Sequence, residues 1–149
     1  MRTRLHNRLP QWHRWAIYAL TALLVASGLG WLAVAYVFAP AGEPRPAPHD
    51  WAGPLMTVHG VCAYAALLVY ALVGQVHMRT GWQVPSLRSA AFWLSAMIVV
   101  LAITGVGLYY VSSESAVPLL RWAHVAAGLA LPGWLVLHIL RGRRVARRT

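Results

Sequence analysis

Four long apolar stretches alternate with short polar ones along the 149 residues of the chain. They occupy residues 12–39, 52–77, 90–111 and 117–140. Each reaches the roughly 20 residues that a helix needs to cross a hydrocarbon core. No water is available there, so a lone segment must satisfy its backbone internally, and all four stretches are expected to be helices. The connections are APAGEPRPAPHDW, whose prolines and glycine break a helix, then MRTGWQVPSLRS, then the brief SSESAVP. None has room for a second domain. The pattern predicts an all-α protein, an integral membrane four-helix bundle forming a single transmembrane domain over residues 1–149. The basic start and apolar core of the first stretch look like a secretory leader. The apolar run goes on through AVAYVFAP, however, and at about 28 residues it is long enough to span with tilt.

Composition agrees with this reading, since 59% of residues are hydrophobic, well above the roughly half of soluble domains. The formal charge of +10 raises the question of nucleic-acid binding. Where the charge sits answers it. The basic residues are thirteen arginines, placed at the ends of apolar runs rather than over one face of a soluble fold. Arginines 2, 4, 8 and 14, then 79 and 88, then 141, 143, 144, 147 and 148 mark the N-terminus, the middle connection and the C-terminus. The other two connections hold all the acidic residues, Glu43, Asp50 and Glu114. The positive-inside rule therefore places both termini in the cytoplasm, in keeping with an even number of spans. Trp12, Trp15, Trp82 and Trp93 fall near the inner interface and Trp51 and Trp122 near the outer one, as an aromatic belt in contact with lipid. Cys62 is the single cysteine, which excludes a disulfide framework or thiolate cluster built from this chain alone.

The histidines carry the candidate chemistry. His6 and His49 lie in polar flanks, but His59 and His124 lie inside spans, and His13, His77 and His138 lie at span ends. Ionisable groups at membrane depth are costly and point to function. The second and fourth helices both run inward, with His59 and His124 each about seven residues from the outer end. They reach similar depth and can ligate one metal centre from two sides. His124 and His138 are 14 residues apart, nearly four whole turns and about 21 Å of rise, so one helix face offers two ligands at two depths. That is the arrangement two stacked haems require. Zinc would draw on thiolate or carboxylate in one short cluster, and the spans contain no acid.

For the inner haem, His138 has two possible partners, His13 and His77. The 18 residues from His59 to His77 correspond to about 27 Å along a straight helix, overshooting the fourth-helix spacing by about 6 Å. This geometry favours His13. Small residues flank the histidines, namely Ser27, Gly28, Gly30, Gly60, Gly74, Gly105, Gly107, Gly128 and Gly133. They leave room for a flat porphyrin and serve equally for close helix packing. Arg121 at the outer side, and Arg14, Arg79 or Arg141 at the inner side, are candidates to pair with haem propionates.

The motif WHRW at the start of the first helix, a histidine near the outer start of the second, and HVAAGLALPGWLVLH on the fourth together carry a resemblance. The chain resembles the membrane cytochrome b superfamily that includes the gamma subunit of respiratory formate dehydrogenase, hydrogenase b-type cytochromes and bacterial cytochrome b561. The resemblance implies two haem b groups, with His59 and His124 on the outer one and His13 and His138 on the inner one. It also implies a bacterial cytoplasmic (inner) membrane location and a quinone near the inner haem, around Gln75, His77, Arg79 and the start of the first helix. The expected role is electron transfer across the bilayer, between a periplasmic or membrane redox partner subunit and quinone, as a subunit of an oxidoreductase complex rather than a stand-alone enzyme. A self-contained quinone oxidoreductase of the cytochrome b561 kind and a cofactor-free membrane anchor are the alternatives.

Overall fold

The computed structural model describes residues 10–42, 46–74, 77 and 85–147. All regular structure among these residues is helical. Helix α1 spans Gln11–Leu32 and widens into a π-helical turn over Ala33–Val37, where the Phe38 N–H donates to the Ala33 carbonyl five residues back at 2.9 Å. Helix α2 spans Ala52–Val73, α3 spans Pro85–Tyr110 and α4 spans Ala116–Ala146. All four are long and apolar enough to cross a membrane, over Gln11–Val37, Ala52–Val73, Leu87–Tyr110 and Ala116–Val145.

The helix ends depart from the expected spans for local reasons. Regular α-helix in α2 stops at Val73, and Gly74 and His77 have π-type geometry. Glycine is a weak helix former, and π-turns commonly mark the place where a helix loosens. Helix α3 begins early, at Pro85, because a proline in the first turn gives up only an N–H that has no intrahelical partner there. Helix α4 runs past Leu140, with Arg143 and Arg144 in its last turn, where cations oppose the negative end of the helix dipole.

The described residues gather into two compact units, one within residues 8–76 and one within residues 77–149. Each is a helical hairpin, α1 packed on α2 in the first and α3 packed on α4 in the second. In the first hairpin the connecting segment is tied back by the Ala47 N–H, which donates to the Ala35 carbonyl at 3.1 Å. Gly42 turns the chain at φ +88°, a left-handed conformation that favours glycine. In the second, the Trp134 Nε1–H reaches the Ala90 carbonyl at 3.1 Å.

Small residues hold the hairpins together. The most buried side chains include Ala35, Ala90 and Ser27, whereas Tyr64, Leu68 and Leu119 are each at least two-thirds exposed. Lipid is as apolar as leucine, so membrane helices associate through close packing of small residues and turn large ones outward. A Cβ on Gly107 would stand 3.0 Å from Leu120 Cδ1, while one on Gly142 would meet nothing within 4 Å. Gly107→Val is therefore expected to destabilise the second hairpin by about 1–3 kcal/mol, and Gly142→Ala to leave stability unchanged or slightly raised. Thermal unfolding in detergent checks this; equal melting temperatures for the two variants would refute the packing account.

Candidate cofactor site

In the first hairpin, His59 of α2 turns its imidazole onto α1. Its Nδ1 lies 3.0 Å from Ser27 Oγ and 3.1 Å from the Leu24 carbonyl oxygen. A carbonyl only accepts, so Nδ1 carries the proton. The Ser27 hydroxyl agrees, since it donates to the Leu23 carbonyl at 2.7 Å and leaves its oxygen to accept from the ring. A Cβ on Gly28 would stand 3.3 Å from His59 Cε1, so the neighbouring residue has the one side chain that lets the imidazole lie this close to α1.

The second hairpin repeats the device. His124 of α4 places Nδ1 2.8 Å from Thr104 Oγ1 on α3. Thr104 Oγ1 also lies 2.7 Å from the Val100 carbonyl oxygen, and with its proton on that carbonyl it is open to an Nδ1–H of the ring. A Cβ on Gly105 would stand 3.5 Å from His124 Cε1. The match extends one turn outward from each histidine. Gly30 faces Leu55, four residues before His59, and Gly107 faces Leu120, four residues before His124. Ser-Gly-Leu-Gly on α1 thus corresponds to Thr-Gly-Val-Gly on α3, and each is served by a Leu-x-x-x-His on the following helix. The two hairpins are built to one plan.

No family model, curated protein or solved structure matches the chain. The site therefore has to be read from its own chemistry. The Leu24 carbonyl holds His59 as the tautomer with the proton on Nδ1 and the lone pair on Nε2, and the Thr104 oxygen suits the same tautomer of His124. A neutral imidazole whose other nitrogen donates to an oxygen is the usual state of a metal-ligating histidine. Each imidazole by itself thus suits the chemistry of an axial ligand to haem iron. Among the described residues no three histidine, cysteine, aspartate or glutamate side chains converge on a point, so no site for a bare metal ion is formed within them.

The remaining histidines differ in kind. His13, His77 and His138 each bury an Nδ1 that has no hydrogen-bond partner among the described residues. The His13 ring stacks on Trp12 at 3.6 Å between centroids. Within the second unit the rings of His77 and His138 come to 6.2 Å between centroids at an interplanar angle of 76°. Burial pushes the His77 imidazole below its usual range. His49 is occupied locally, its Nδ1 accepting from the Trp51 N–H at 3.1 Å. Of the arginines considered for propionates, Arg14 and Arg141 are exposed and Arg121 is half-buried. Gln75 and Arg79 lie outside the described residues.

Ser27 and Thr104 are contacts of the candidate histidines that the sequence pattern did not single out as hydrogen-bond partners. The signal was present in the repeated hydroxyl-Gly-x-Gly motif on alternate helices. Small residues in membrane helices have so common a packing role that the hydroxyl in the motif reads as one more small residue.

Proposed function

We propose that this protein is a di-haem b-type membrane cytochrome that passes electrons across a bilayer, between a redox partner on the outer side and quinone near the inner side. The observation that carries the reading is the paired one: two histidines within the apolar helices, His59 and His124, each with its Nδ1 at hydrogen-bond distance from an oxygen of the neighbouring helix. Without a cofactor, nothing in the packing of two apolar hairpins calls for that arrangement twice.

In this reading His59 and His124 hold the outer haem, and His138 with His13 hold the inner one, as the resemblance to membrane cytochromes b implies. A haem bound in this way supplies one-electron exchange, and the chain supplies its ligands, their orientation and an apolar surround. Arg121 at the outer side and Arg14, Arg79 or Arg141 at the inner side would pair with propionates. Gln75, Arg79 and His77 would face quinone. The arginine pattern supports cytoplasmic termini, and the resemblance supports a bacterial inner membrane. With no catalytic group of its own in the reading, the chain acts as an electron-transfer subunit.

A second reading of the inner haem has an observation of its own. Two imidazoles on one metal, each at about 2.0–2.1 Å, place their ring centroids about 6 Å apart. The 6.2 Å between His77 and His138 meets that spacing, which supports His77 in place of His13.

The test is a reduced-minus-oxidised absorption spectrum of the purified chain with a haem assay. A b-type alpha band and about two haems per chain are expected; a chain purified from haem-replete cells with neither would sink the proposal.

A further inference from the structure

The four histidines of the proposed haem sites are not held alike. His59 and His124 have their Nδ1 at hydrogen-bond distance from an oxygen, whereas His138 and both of its candidate partners, His13 and His77, bury an Nδ1 that meets no hydrogen-bond partner among the described residues. An axial imidazole that donates from Nδ1 takes on imidazolate character. It becomes a stronger donor through Nε2, favours ferric over ferrous iron, and so lowers the reduction potential.

We propose that Ser27 and Thr104 are positioning residues that fix the tautomer and orientation of His59 and His124 and hold the haem they ligate at a lower potential than the other. The inference rests on the di-haem reading. It follows from hydrogen bonds that each lie wholly within one hairpin. Thr104 and Ser27 do not contribute equally. For His124, the Thr104 hydroxyl is the acceptor at 2.8 Å. His59 retains the Leu24 carbonyl at 3.1 Å when the Ser27 hydroxyl is removed. Thr104→Val is therefore the stronger test of the two. With the Thr104 hydroxyl proton on the Val100 carbonyl at 2.7 Å, its oxygen is left to accept from the ring. An ordering of potentials with the outer haem low and the inner haem high would make inward electron transfer downhill.

The experiment is a potentiometric titration of the alpha band in the purified, haem-loaded protein, comparing wild type with Thr104→Val, Thr104→Ser, Ser27→Ala and Ser27→Thr. Valine keeps the shape of threonine and removes only the acceptor. The haem that His124→Ala removes should titrate lower than the other in wild type. In Thr104→Val its midpoint should rise, by about a tenfold change in the reduction equilibrium or about 59 mV for a one-electron couple. The other midpoint should stay put. Thr104→Ser and Ser27→Thr should hold the wild-type value, and Ser27→Ala should rise by less than Thr104→Val. A role in packing alone would alter haem content or melting temperature without moving one midpoint selectively. If Thr104→Val binds haem with unchanged midpoints, or if Thr104→Ser shifts as far as Thr104→Val, the positioning role is overturned and the di-haem reading stands. If the valine variant does not fold, the order of the wild-type midpoints and the Ser27→Ala shift decide the matter alone. A wild-type chain with no alpha band overturns both.

Discussion

Replacing His124 with alanine is expected to remove one haem and leave the other, so that the b-type alpha band falls to about half and a single midpoint remains. His138→Ala is expected to remove the complementary haem. The effect is large because an axial imidazole is a bond to iron, and in an apolar site no water or side chain stands ready to replace it. The structural cost of His124→Ala should be small by comparison. Thr104 keeps its bond to the Val100 carbonyl at 2.7 Å when the imidazole goes, so no buried hydroxyl is stranded. The hairpin keeps its close packing at Gly107 and Leu120 as well. Circular dichroism should therefore show an unchanged helical spectrum alongside the loss of half the haem. If either variant kept both haems, the ligand assignment would be wrong; if His124→Ala lost all helical structure, the role of His124 would be in folding.

The second large effect concerns the inner partner of His138. The resemblance to membrane cytochromes b expects His13→Ala to lose the inner haem and His77→Ala to retain it. The 6.2 Å pairing of His77 with His138 expects the reverse. Haem content of the two variants, each compared with His138→Ala, decides between them. The variant that matches His138→Ala in haem stoichiometry and in the surviving midpoint identifies the ligand. The variant that keeps both haems identifies the spectator. If both variants keep two haems, neither residue is the partner and the inner half of the proposed site fails. The straight-helix extrapolation from His59 runs over regular α-helix as far as Val73, and only at Gly74 and His77 does the backbone become π-type.

What the sequence by itself determined was the number of helices, their approximate limits and the special standing of five histidines. It could do so because a bilayer imposes one length and one backbone solution on any segment that crosses it, and because an ionisable side chain at that depth is conspicuous against an apolar background. The ends were less legible. Gly74 loosens α2 and the arginines extend α4, and each outcome depends on local propensity and the helix dipole rather than on apolar length. Of the hydroxyl contacts, Ser27 was legible only as a small residue and Thr104 not at all. Ser27 precedes His59 by 32 positions and Thr104 precedes His124 by 20, so no common spacing connects them. The tertiary structure decided that both hairpins bring a hydroxyl on one helix to the Nδ1 of a histidine on the next, in the same register, with a glycine beside it. That register is set by side-chain packing at Gly30 with Leu55 and Gly107 with Leu120, contacts between helices that only the folded hairpins bring into being.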